Sequence, residues 1–168
     1  MATLNFRIQK QSALNLCWAA VTSSISKFYD NSSVYDQCIL ANNAFKRTDC
    51  CTDLSKCDMG WYIQLALTMT NNLRSTQAGV PDIDVIRQEI GNNRIIALTI
   101  SWSGGGFHDI AIYGVHDDDT VDVADPWPSK DPGTVSLTEL ALFYKDMGQI
   151  TSYYLTDPSN KLLKKSGK

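Results

Sequence analysis

The amino-acid sequence predicts an α+β protein whose N-terminal half is helical and whose C-terminal half is an antiparallel β-sheet. Three observations carry this reading. Apolar residues recur at helical spacing as far as Ile90, the pattern switches to β-branched runs at Ile95, and glycine or aspartate clusters punctuate those runs. Hydrophobic residues at 43% and charged residues at 20% of 168 are those of a folded domain with room for a core.

Between Gln11 and Tyr29, Leu14, Cys17, Trp18, Val21, Ile25 and Phe28 keep the three-or-four spacing of an amphipathic helix, which is expected to begin near Leu16. Asn31 to Ser33 can cap a second short helix through Val34 and Ile39. Asp58 is the expected cap of a third helix running through Trp61, Leu65 and Met69 to Leu73. Pro81 opens a fourth, over Asp82 to Ile90, which Gly91-Asn92-Asn93 ends. Strands are expected from Ile95 to Trp102, Phe107 to Val115, Thr120 to Ala124 and Gly148 to Thr156. A capping box, Ser136-Leu-Thr-Glu139, predicts a helix before the last of them, to about Lys145.

A net charge of −3 provides no global attraction to phosphate backbones or acidic lipid. Neither a nucleic acid nor a membrane is therefore the expected partner. The first ten residues lack the apolar core of a secretory signal, and residues 159–168 read as a short, flexible basic tail.

Of the five cysteines, Cys38, Cys50, Cys51 and Cys57 cluster while Cys17 stands apart. A bridge between adjacent Cys50 and Cys51 is strained, which leaves two pairings for the cluster. Disulfides are favoured over free buried thiols, and zinc comes last, because zinc ligands are usually separated by two to four residues and Cys50 and Cys51 have no spacer. Disulfides imply an oxidising compartment, so the expected location is secreted, by a route without a visible signal or after its removal, with the cytoplasm as the alternative.

Cys17 falls in the first turn of the expected helix, where the dipole favours a thiolate. Only two histidines can serve it as base. His108 opens an apolar strand after Gly104-Gly105-Gly106, whereas His116 sits beside Asp117-Asp118-Asp119 in an expected solvated hairpin turn. Asp125 ends the next strand before Pro126, where a carboxylate can lie beside His108 and fix its tautomer. Trp102 and the glycine turn, Gly105 and Gly106 in particular, are expected to border the substrate cleft, the glycines by mobility and by removing obstructing side chains.

In combination these motifs resemble the papain-like cysteine peptidases. The carriers are Gln11-Ser-Ala-Leu-Asn-Leu-Cys17-Trp-Ala-Ala20, Gly104-Gly-Gly-Phe-His108-Asp-Ile-Ala-Ile-Tyr-Gly114 and Val121-Asp-Val-Ala-Asp125-Pro-Trp127. The resemblance is to bacterial members, including plant-pathogen effector proteases and relatives of the double-glycine bacteriocin-processing peptidases, which often carry a Cys-Cys segment after the second helix. It implies a papain-like fold over residues 1–158, with a central nucleophile helix packed on the sheet. It also implies a Cys17–His108–Asp125 triad, a Gln11 side-chain amide in the oxyanion hole, a protein or peptide substrate and no cofactor or metal. An effector or toxin role follows from the same resemblance, with a cognate inhibitor or immunity protein as a further partner. The alternatives are a cell-wall peptide or side-chain amidase using the same triad and a non-catalytic binding module of the same fold. The Asp-Cys-Ser-Gly nucleophile motif of cell-wall peptidases is absent, and Cys17, His108 and Gln11 are all present.

Overall fold

The computed structural model describes residues 1–129 and 132–158, so the basic tail lies outside the described residues. A short strand β1 (Ala2–Thr3) precedes helix α1 (Cys17–Tyr29) and helix α2 (Gln37–Phe45). A 3-10 turn at Leu54–Cys57 leads to helix α3 (Ile63–Met69), strand β2 (Leu73–Ala78) and helix α4 (Ile83–Gly91). Strands β3 (Ile96–Trp102), β4 (Phe107–Val115), β5 (Thr120–Ala124) and β6 (Gly133–Ser136) follow, then helix α5 (Leu137–Leu142) and strand β7 (Gly148–Thr156). The sheet is antiparallel in the order β2-β7-β3-β4-β5-β6, with β1 on β4.

Residues of β3 and β4 alternate between two cores, as the period-two pleat requires. Ile96, Leu98, Ile100, Ile110 and Ile112 pack with Ile86 and Ile90 of α4 and with Leu140 of α5. Ala97 and Ala111, with Ala124 of β5, face Trp18, Val21 and Ile25 of α1. Small side chains on this second face let α1 lie close to the sheet. Every residue of α1 from Cys17 to Ser26 is buried, the mark of a helix enclosed on all sides rather than one lying on a surface. Of its inward polar groups, Ser24 Oγ donates to the Ala20 carbonyl at 2.7 Å, whereas the buried Thr22 hydroxyl has no partner among the described residues.

The expected helix from Asp58 to Leu73 is shorter than its periodicity implied. Asp58 does not cap it, since Asp58 Oδ1 accepts from Asn15 N–H at 2.6 Å. Gly60 precedes the start, Asn71 adopts φ 59° after the end, and Leu73 belongs to β2, which pairs with β7. The short strands β1 and β6 were not predicted, and each pairs on only one side. Ser136 caps the expected helix, its Oγ accepting from Glu139 N–H at 3.1 Å, but α5 ends at Leu142.

Cys38 pairs with Cys51 and Cys50 with Cys57, so the adjacent cysteines are not bridged to each other. The two bridges tie α2 and the loop after it to the 3-10 turn. Asp49, Cys50 and Cys57 converge closely enough to suggest metal ligands, but both sulfurs are spent in the Cys50–Cys57 disulfide. Among the described residues no helix is long and apolar enough to cross a membrane.

Candidate active site

The chain enters α1 through a tight turn in which Leu16 N–H donates to the Ala13 carbonyl at 3.3 Å. The first link of the helical ladder is Ala20 N–H to the Leu16 carbonyl at 2.9 Å. The N–H groups of Cys17, Trp18 and Ala19 therefore precede the ladder, as helix N-terminal donors do. Cys17 is the free cysteine, 9% exposed, and its side chain lines a cleft of about 950 Å³ between the helical half and the sheet.

One wall of this cleft is the segment after Cys57. Asn15 holds it through Asp58, and Trp18 Nε1 donates to the Met59 carbonyl at 3.0 Å. Trp61 packs edge-on against Trp18 at 5.4 Å between ring centroids. The Cys50–Cys57 bridge anchors this wall from behind, which ties the disulfide cluster to the site.

The opposite wall comes from the sheet. Gly105 and Gly106 take φ 93° and 89°, the left-handed conformations the turn between β3 and β4 requires. The turn is closed by Trp102 N–H to the Gly106 carbonyl and by Gly105 N–H to the Trp102 carbonyl, each 3.0 Å. The expected mobile loop is thus a hydrogen-bonded turn. It delivers His108 as the second residue of β4, stacked on Trp102 at 5.8 Å with Trp127 edge-on at 6.4 Å. Trp102 and Gly106 line the cleft, while Gly105 shapes the turn and is not among the lining residues. Gly148 makes room here, because a Cβ on it would meet Ile100 at 2.5 Å and the Trp102 ring at 2.9 Å.

His108 Nε2 lies 2.8 Å from Asp125 Oδ1. The same oxygen accepts from Trp127 N–H at 2.8 Å. Asp125 Oδ2 accepts from the Tyr144 hydroxyl at 2.6 Å and from Lys145 Nζ at 2.7 Å. Burial alone would raise this carboxyl, but the bonds from His108, Lys145 and Tyr144 outweigh it and hold Asp125 well below the usual carboxylate range. A carboxylate fixed on Nε2 leaves Nδ1 as the ring nitrogen for proton exchange in the cleft. Sequence reasoning missed Tyr144 and Lys145. They sit in a turn where Lys145 and Asp146 adopt φ 49° and 64°, which nothing in their residue types announces.

His116 departs from the solvated turn position expected for it. Its Nε2 is 2.9 Å from Asp122 Oδ1, and Asp122 also accepts from the Thr3 and Thr134 hydroxyls. It does not line the cleft.

Gln11 is buried beside the site, but its Nε2 donates to the Ala13 and Leu14 carbonyls at 3.0 and 2.7 Å. Both amide hydrogens are thereby spent on carbonyls of the turn leading to Cys17, which would otherwise lack donors. Gln11 is not among the residues that line the cleft.

The nucleophile candidate has a second unforeseen neighbour. Cys17 Sγ lies 3.9 Å from Asp109 Oδ2, and Thr99 Oγ1 donates to Asp109 Oδ1 at 2.6 Å. Thr99 and Asp109 are cross-strand partners that continue the Ala97–Ala111 row toward the N-terminus of α1. Burial, reinforced by the Asp109 charge, pushes the Cys17 thiol up to about 12. Burial and the Asp109 charge thus oppose the thiolate that the helix position favours. Among the described residues no hydrogen bond joins Cys17 to His108.

The residues that converge here are a cysteine at a helix N-terminus and a histidine held by a carboxylate, facing one cleft, which is the equipment for acyl transfer to sulfur. The family model described as papain-like cysteine protease AvrRpt2 (Peptidase_C70) matches residues 1–142. No curated protein matches the chain. The match spans α1, the disulfide cluster, β3 to β6 and all of α5, and the chain belongs to this family of papain-like cysteine proteases.

Proposed function

We propose that this chain is a cysteine endopeptidase that hydrolyses peptide bonds of a protein substrate with Cys17 as nucleophile, His108 as general base and acid, and Asp125 as the orienting group. The observation that carries this reading is the 2.8 Å His108–Asp125 pair, set in the same cleft as Cys17.

In the proposed reaction the Cys17 thiol proton passes to His108 Nδ1, and the sulfur attacks the carbonyl carbon of the scissile peptide. The carbonyl oxygen becomes an oxyanion at the start of α1, within reach of the Cys17 N–H. The imidazolium then protonates the leaving amine as the C–N bond breaks, leaving a thioester on Cys17. Water, deprotonated by His108, attacks that thioester and returns the thiol. Asp125 stays ionised throughout and supports the imidazolium. Gln11 acts in this scheme by bracing the turn that presents Cys17.

The cleft walls are rich in aromatic groups, with Trp61, Tyr62, Phe107 and Trp127 at its surface. An extended polypeptide segment fits such a trough better than a compact polar ligand does. Two disulfides favour an oxidising working compartment, which agrees with export as a bacterial effector or toxin.

The test is digestion of a proteome-derived peptide library by the wild type, Cys17→Ala and His108→Ala, with new N-termini read by mass spectrometry. New termini should arise with the wild type alone. Equal cleavage by Cys17→Ala would discard the reading.

A further inference from the structure

Asp109 has no part in the scheme above, yet its carboxylate lies 3.9 Å from the sulfur of the nucleophile. It is 5% exposed, with Oδ1 on the Thr99 hydroxyl and Oδ2 facing Cys17 Sγ. Thr99 is in turn 3.0 Å from the Tyr154 hydroxyl, so β3, β4 and β7 all contribute to the cluster. The groups around Asp109 are Cys17 from α1, Thr99 from β3, its own neighbour His108 on β4, and Tyr154 from β7 through Thr99. Among the described residues no lysine or arginine forms an ion pair with it.

This geometry admits two arrangements of one proton. With Asp109 ionised, Oδ2 accepts the Cys17 S–H and keeps the sulfur protonated. A thiolate then faces a second buried negative charge, which opposes its formation. With Asp109 protonated, the O–H can turn to donate to sulfur, and a thiolate gains a hydrogen bond in place of the repulsion.

We propose that Asp109 is a proton-holding partner of Cys17, one that blocks the thiolate when ionised and supports it when protonated, so that the nucleophile is favoured in mildly acidic surroundings. The proposal rests on Cys17 being the reactive thiol of the proposed peptidase. Proton balance is simple: one proton taken up from solvent neutralises Asp109, and the Cys17 S–H proton moves to His108 Nδ1. No oxidant, metal or cofactor enters. Burial raises Asp109 to about 6, which sets the range in which the change would be felt.

The rival role for Asp109 is structural, as an acceptor holding Thr99. Alkylation by iodoacetamide separates the two. The reagent is uncharged, and with the other four cysteines in disulfides it reports Cys17 alone. In the wild type the rate should pass through a depression as pH rises from about 5 to about 8, where Asp109 ionises before the thiol does. Asp109→Asn keeps an acceptor for Thr99 and presents a permanent donor to sulfur. It should remove the depression and speed alkylation about tenfold or more near pH 7. Thr99→Val removes a bond that stabilises the ionised carboxylate, and should move the depression to higher pH. Superimposable profiles for folded wild type and Asp109→Asn, or an unmoved depression in folded Thr99→Val, would overturn the proposal. The assay reads the thiol and not peptide cleavage. A wild type that shows the depression but cleaves no peptide would therefore refute the peptidase reading and leave this one standing.

Discussion

Two aspartates flank the proposed catalytic histidine, and their surroundings drive them in opposite directions. Asp125 follows β5 and is met by donors from a ring nitrogen, a backbone N–H, a tyrosine hydroxyl and a lysine. Asp109, the residue after His108, has one threonine hydroxyl and a thiol. Both side chains are buried, yet Asp125 is held low and Asp109 is lifted to about 6. Burial raises both carboxyls, and the number and charge of the donors decide whether it is overcome, as at Asp125, or prevails, as at Asp109. In the proposed scheme one carboxylate stays charged beside the histidine, and the other loses its charge beside a sulfur.

Breaking the Asp125 side should have the largest effect on activity. Asp125→Asn retains the shape but turns a donor toward His108 Nε2 and favours the wrong tautomer, so kcat/KM should fall by about 10²–10⁴ with little loss of folded protein. Steady-state kinetics with circular dichroism on the same samples checks it. Lys145→Met tests how far the charge on Asp125 depends on its neighbour. With the Tyr144, Trp127 and His108 bonds intact, the expected loss is about tenfold in kcat.

The smallest activity effect at acidic pH belongs to Asp109→Asn, and there the contrast appears in stability. A carboxyl raised on folding contributes stability that is fully present below its ordinary value of 3.8 and lost as pH rises through about 6. The full difference is about 3 kcal/mol on 1.36 kcal/mol per pKa unit. Wild type and Asp109→Asn should therefore melt alike near pH 4 relative to their values at pH 7, where the wild type should have lost ground by several degrees. Asp125 has the opposite sign. Its stabilisation is present above 3.8 and disappears as pH falls toward its depressed folded value. Scanning calorimetry across pH 3 to 7 follows both.

The same contrast explains what could be read from the sequence. Strands β3, β4 and β5 were legible because β-branched runs bounded by glycine and aspartate leave few alternatives, and α1 because its apolar spacing is regular. From those elements alone, Cys17, His108 and Asp125 fall at a helix start, a strand start and a strand end, which is enough to propose that they meet. The region from Asp58 to Leu73 misled because apolar residues at helical spacing continue past the point where Asp58 is taken by Asn15 and Asn71 turns left-handed. Tyr144 and Lys145 were invisible because they reach Asp125 through a turn, across the chain, with no periodic pattern to mark them. Asp109 was in plain view beside His108, but its closeness to Cys17 depends on how α1 crosses the Thr99–Asp109 pair, a tertiary fact. Gln11 shows the converse. Its spacing from Cys17 matches the family, while its amide is claimed by two carbonyls that only the folded turn creates.

In the proposed reaction Cys17 carries the acyl group of a cleaved substrate. Acid quenching of the enzyme during turnover of an activated peptide ester, followed by intact-mass measurement and peptide mapping, reads this directly. The expected result is a thioester on Cys17 in the wild type, greater accumulation in a variant whose deacylation is slowed, and no adduct in Cys17→Ala. Ester hydrolysis with no adduct on Cys17, or an adduct on another residue that persists in Cys17→Ala, would contradict it.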